Sequence, residues 1–227
     1  ISFFLDLHRT VLEGGDVFSV VSEPQKYVTI GELGAIGRLT ADKLGYEFVR
    51  IIPIGLDAEP YPPQERVIRG KIVPDDAFVA LSQGGYNTWA DIETMFAGIE
   101  AAMQRRPDIH FVSTGGGIAF HHEQGYRRFG DLVERSPQRD RFHLLGWQPT
   151  NIVPGFALES DVGVCIDLAI YESYVGCRSR VVGWLKAGLP PVMTLTTELS
   201  HIVRDRQLGL TVPPGSPEAV ADALVSA

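Results

Sequence analysis

The chain has 227 residues, 44% of them hydrophobic, with 20 Lys and Arg against 28 Asp and Glu for a formal net charge of -8. That is enough apolar material for one large domain or about one and a half average ones, and an acidic balance without any basic block argues against a nucleic-acid partner. No apolar run approaches the ~20 residues of a membrane helix, and two cysteines do not make a disulfide framework, which fits a reducing compartment.

The opening ISFFLDLHRT is too short and too soon charged for a signal peptide. The chain begins at Ile1 rather than methionine and stops inside an apparent helix, PEAVADALVSA, so it reads as a piece cut at both ends. DVFSVVS reads as a strand, EPQKYVTIGELGAIGRLTADKL as a long helical stretch and VRIIPIG as a second strand. Residues 1–60 are too little for a domain and read as the end of one. Residues 61–75, rich in proline and charge, read as a linker.

From residue 76 strands and helices alternate. AFVALS leads into TWADIETMFAGIEAAMQRRP, where Ile92, Met95, Phe96, Ile99, Ala102 and Met103 recur at helical spacing. Thr88 and Asp91 are candidate caps, and Pro107 follows the end. IHFVST then completes a βαβ unit, and RFHLLGW, DVGVCID and PPVMTL continue the series. The pattern predicts an α/β fold with a doubly wound parallel sheet.

Ligands of such sheets bind beyond the carboxyl ends of the strands. Gly84 and Gly85 follow the first of these strands in QGGYNTW, and Gly115 and Gly116 follow the next in GGGIAFHHE, allowing close backbone approach. Trp147 ends RFHLLGW. In the loop YESYVGCRSR, Arg178 and Arg180 precede a short helix closed by Gly188-Leu189-Pro190, a combination suited to an anion with several charged oxygens. Together these loops describe a pocket for a nucleotide diphosphate. Neither glycine run matches the dinucleotide fingerprint or the P-loop. The nearby His121, His122 and Glu123 lack metal-ligand spacing, and no metal site is expected. Cys165 reads as a core residue. Cys177 is a candidate reactive thiol, its pKa lowered by the arginines, but it has no evident His and acid partners.

Taken in order, GDVFSVVSE, VRIIPIGLDAEPY, RFHLLGWQPTNIVPGFALESDVGVCIDLAIYES, KAGLPPVMT and LGLTVPPGSPEAVADAL resemble the group-one family of retaining glycosyltransferases of GT-B fold, glycosyltransferase family 4-like, over nearly the whole chain. The resemblance implies two Rossmann-like domains facing across a cleft. Residues 1–60 would end the N-terminal, acceptor-side domain, 61–75 would link the two, and 76–227 would form a nucleotide-sugar-binding domain truncated at its C-terminus. It also implies transfer of a sugar from a nucleotide-diphosphate donor to a glycan, lipid or small-molecule acceptor, with retention and without a metal ion or cofactor, in the cytoplasm or at the inner face of a membrane.

On this reading Gly84, Gly85, Asn87, Gly115, Gly116, Trp147, Arg178, Arg180 and Glu198 contact the donor, and Glu172 is the catalytic residue. Two departures stand out. The family's donor-loop glutamates, eight positions apart, fall on Val175 and Gly183, and QGGYNTWAD lacks the usual basic pair. Arg178 and Arg180 would replace that pair, unless Arg180 instead braces its loop against Glu172 or Asp167. The same departures leave open a nucleotide-sugar-binding subunit without transfer activity; a sugar-nucleotide epimerase of the same fold is a third reading, for which the sequence shows no matching motif.

Overall fold

In the computed structural model, which describes residues 2–117 and 123–227, helix α1 (Ser2–Gly14) precedes a two-stranded parallel sheet of β1 (Phe18–Val20) and β2 (Val49–Ile51), connected through helix α2 (Glu23–Ala35). Ser22 starts α2 by accepting a hydrogen bond from the Gln25 N–H, with proline in the first turn. Leu12, Leu33, Phe48 and Val49 form the core of this part. Helix α1 has no counterpart in the sequence pattern. Its Phe3, Phe4, Leu5 and Leu7 are all exposed, so they follow no buried stripe.

The stretch expected as a linker has no helix or strand, yet it is packed. Ile68 and Val73 are buried in the same core as Val79, Leu81 and Trp184. The Glu159 carboxylate accepts from the N–H of Val67, of Ile68 (3.2 Å) and of Arg69 (2.9 Å). Arg69 in turn pairs with Asp161 at 2.7 Å. Proline and charge disguise a segment whose backbone is held by one carboxylate.

The second sheet is built from β3 (Phe78–Gln83), β4 (Ile109–Thr114), β5 (Phe142–Leu144), β6 (Val162–Cys165), β7 (Pro191–Thr194) and β8 (Leu210–Val212). Between and after them come α3 (Ile92–Arg105), α4 (Gln124–Arg135), α5 (Val153–Leu158), α6 (Tyr171–Val175), α7 (Ser179–Lys186), α8 (Glu198–Asp205) and α9 (Pro217–Ser226). The strand order is β5-β4-β3-β6-β7-β8, and every pairing is parallel. The doubly wound parallel sheet predicted from the sequence is therefore present. Its central strands carry continuous apolar runs because helices cover both faces.

Helices α3, α4 and α9 bury Phe96, Phe129 and Leu224 against Phe111 and Phe142 on one face. Helices α5, α7 and α8 bury Phe156, Val181, Trp184 and Val203 against Leu81 and Val112 on the other. Asp91, not Thr88, caps α3, accepting from the Thr94 N–H at 3.1 Å. From β3 the chain winds outward to β5, then returns to β6 on the opposite side. The reversal leaves a crevice at the carboxyl ends of β3 and β6. No helix among the described residues is long and apolar enough to cross a membrane.

Candidate functional site

The loops leaving β3, β4 and β5 are joined through their backbones. The Gly84 N–H donates to the Thr114 carbonyl at 2.7 Å, and the Gly115 N–H to the Gly146 carbonyl at 2.7 Å. Gly115 has φ +116°, and a Cβ there would lie 2.2 Å from the Gly84 carbonyl oxygen, so the two glycine loops cross in backbone contact. Only glycine fits that crossing.

Above the crossing is a cavity of about 410 Å³, lined by Gln83, Gly84, Thr114, Gly115, Trp147, Ser179, Arg180 and others. Trp147 is 58% exposed, and its indole N–H donates to the Gly117 carbonyl at 2.9 Å, which holds the ring at the cavity wall. Gln83 accepts from the Trp184 indole at 2.6 Å and donates to the Val153 carbonyl at 3.2 Å, locking β3, α5 and α7 together. Arg180 donates to the Gly85 carbonyl at 3.1 Å, so its guanidinium lies across the first glycine loop. Helix α7 begins at the same wall. Its first backbone bond runs from the Val181 N–H to the Arg178 carbonyl, and the N–H groups of Ser179 and Arg180 make no backbone bond among the described residues. One end of the cavity thus combines a guanidinium with the positive end of a helix.

Arg178 does not share this position. Its Nε is 2.6 Å from the Asp167 carboxylate, with both side chains 5% exposed, and its Nη2 donates to the Ser173 hydroxyl at 3.2 Å. Its guanidinium also lies 5.2 Å from the Trp89 ring centroid. Of the two arginines expected at the pocket, only Arg180 is among the residues lining it. A carboxylate buried at the end of β6 requires a cation, and Arg178 at the N-cap of α7 supplies it. The bracing expected of Arg180 falls to Arg178 instead. Burial pushes the Asp167 carboxyl above its ordinary range, opposed by the adjacent guanidinium.

Glu172 is also displaced from its expected position. On α6 the inward residue is Ser173, so Glu172 sits about 100° around the helix and is not among the residues lining the cavity. Asn87 lies in a turn, its carbonyl accepting from the Ala90 N–H, and does not line the cavity either. Gly85 contributes the carbonyl that meets Arg180, and Gly116 borders the far side of Trp147. Glu198, at the start of α8, faces a different cavity. His121 and His122 fall outside the described residues. Burial pushes the Cys177 thiol up, not down as its arginine neighbours had implied. Among the described residues no group of three or more His, Cys, Asp or Glu is placed to hold a metal ion.

The sequence reading missed Tyr61, Gln83, Gln148, Ser179 and Gly183 in the lining. Gln83 and Ser179 adjoin residues it did select. Tyr61 lay in the presumed linker, and gives no local sign that it packs beside α7, where its hydroxyl lies 3.7 Å from the position of a Cβ on Gly183.

Residues 78–227 match the family Glycosyl transferases group 1. No curated protein matches the chain. Among solved structures, the trehalose-6-phosphate synthase OtsA is 16% identical with a TM-score of 0.71, over 95% of this chain and 53% of that one. Sucrose-phosphate synthase from Thermosynechococcus elongatus is 21% identical with a TM-score of 0.67, over 99% and 52%. HepE of Anabaena, solved in complex with UDP and glucose, is 15% identical with a TM-score of 0.71, over 95% and 54%. At these identities the likeness is one of fold, the GT-B glycosyltransferase fold. The present chain spans about half the length of these structures.

Proposed function

Because this chain belongs to the group 1 glycosyl transferases, we propose that its 410 Å³ cavity holds the nucleoside diphosphate of a sugar donor. The sugar would pass to an acceptor with retention of anomeric configuration and without a metal ion. The observation that carries the reading is the meeting of Arg180, the α7 N-terminus and the paired glycine backbones at one end of a cavity otherwise lined mostly by apolar groups. Arg180 neutralises charge as the diphosphate leaves, and the N–H groups of Ser179 and Arg180 donate to its oxygens. Gly84 and Gly115 let those oxygens approach the main chain, and Trp147 presents a flat face to the base.

The test is thermal stabilisation by nucleoside diphosphates and by the matching nucleosides, with and without EDTA, in the parent chain and in Arg180→Ala. Diphosphate binding should survive chelation. The variant should lose about 1.5–3 kcal/mol of diphosphate affinity and little nucleoside affinity. Equal losses for both ligands, or a requirement for a divalent ion, would overturn the assignment.

One observation favours a second reading, a donor-binding subunit without transfer. No carboxylate lines the cavity among the described residues, and Val175 and Gly183 occupy the positions where the family's glutamates align. Hydrolysis of a bound sugar nucleotide, followed over hours, separates the two. Slow release of free sugar supports transfer chemistry, and binding without any release supports the subunit.

A further inference from the structure

A second cavity, of about 370 Å³, lies between the small sheet and the large one. Val21, Ile51 and Ile54 wall it on one side, and Val182, Leu199 and Ile202 on the other. It shares a helix with the first cavity. Ser179, Arg180 and Gly183 of α7 line the first, while Val182 of the same helix, with Gly176 and Cys177 just before it, lines the second. Val182 is one position from Gly183, about 100° around the helix, so neighbouring faces of α7 line the two spaces.

Three properties limit what the second cavity can take. Its volume is that of roughly a dozen waters, enough for a medium-length alkyl chain or a fused ring. Its walls are apolar, so filling it with hydrocarbon is favourable and filling it with water is not. Its only acidic or basic side chain among the described residues, apart from the Cys177 thiol, is Glu198. One Glu198 oxygen accepts from the Glu23 N–H at 3.3 Å, and the other makes no bond among the described residues. With no Lys or Arg in the lining, an anionic group there would meet only a carboxylate, whereas a hydroxyl could donate to it.

We propose that this second cavity binds the apolar portion of a neutral, hydroxyl-bearing acceptor, with Glu198 accepting from the hydroxyl and α7 separating it from the donor. The word acceptor rests on the reading of the first cavity as a donor site. The ligand chemistry does not.

Cys177 makes the cavity testable without any activity. Its thiol is half-buried in the lining, whereas Cys165 is buried in the core, where burial pushes it up to about 12. Alkylation of the native 227-residue chain by iodoacetamide, followed by mass spectrometry, should therefore modify Cys177 first. Straight-chain alcohols from butanol to decanol should slow it, the protecting concentration falling about fourfold per added methylene until the cavity is full. Octyl phosphate should protect less well than octanol, and Glu198→Gln should narrow that gap. Ile202→Asp should weaken protection by octanol tenfold or more.

Protection independent of chain length would overturn the proposal, as would octyl phosphate matching octanol on the parent chain. A gap unchanged in Glu198→Gln would remove Glu198 from the site. Stabilisation by nucleoside diphosphates is measured on the same samples. Length-dependent protection without it keeps the apolar site and ends the donor reading, and the reverse result ends the apolar site alone.

Discussion

Replacing Arg178 with methionine keeps much of the side-chain volume and removes the charge that faces Asp167. In the parent the guanidinium is 2.6 Å from the carboxylate, both groups are 5% exposed, and the same side chain bonds Ser173 and covers Trp89. Its removal leaves a buried carboxylate without a cation, a change that costs about 3–5 kcal/mol at neutral pH. For a chain of this size that is a fall in melting temperature of roughly 6–20 °C. Arg180→Ala, which loses a single bond from a half-buried side chain to a carbonyl, should fall by less than a third of that. Thermal unfolding at two pH values adds a sign. Burial already raises the Asp167 carboxyl, and without Arg178 it rises further, so acidification protonates it and removes the unpaired charge. The deficit of Arg178→Met should therefore shrink as pH falls, and the double variant Arg178→Met/Asp167→Leu should recover part of it at neutral pH. A melting temperature within about 2 °C of the parent, or a deficit that grows on acidification, would refute the buried-pair account.

Gly115→Ala should unfold the glycine crossing, since the new Cβ would lie 2.2 Å from the Gly84 carbonyl oxygen at a residue with φ +116°; a loss of less than about 1 kcal/mol in urea unfolding would contradict this. His110 and His143 stack with Nδ1 and Nε2 3.1 Å apart, and burial is the first cause lowering both, helped by Arg141 for His110 and by His110 for His143. The unfolded chain then binds more protons as pH falls from about 6.5, so stability should drop across that range, and His110→Asn/His143→Gln should flatten the profile. Thr196 carries a buried hydroxyl with no hydrogen-bond partner among the described residues. Thr196→Val should be neutral or stabilising by about 1 kcal/mol in the same unfolding assay, and a loss of that size would show that the hydroxyl is bonded.

The large sheet could be read from its apolar runs because each central strand is covered on both faces and needs no polar alternation, as Phe78–Gln83 and Ile109–Thr114 illustrate. The glycine loops could be read because close backbone approach selects glycine directly. The division of labour between Arg178 and Arg180 could not. It depends on the burial of Asp167, eleven residues before Arg178 and at the end of another element. For the same reason Tyr61, Ile68 and Val73 passed as linker. What places Ile68 and Val73 is the Glu159 carboxylate and the underside of the sheet, and what places Tyr61 is α7, where the Lys186 ammonium lies 4.4 Å from its ring centroid; none of these leaves a mark in the local pattern.

The lining of the first cavity draws on Tyr61, Gln83, Thr114, Trp147 and Arg180, each brought from a different part of the chain. A stretch of sequence that carried all of it would have to run from Tyr61 to Gly183. The wall exists only once β3 has found both β4 and β6, and β6 joins after two intervening units, so the site is completed late in a topology rich in non-local pairing. Until then, strands such as Val162–Cys165 present bare apolar edges on which chains can associate. A nucleotide that binds only the finished sheet would draw the population away from those intermediates, so its presence during refolding should raise the yield of monomer as well as the melting temperature.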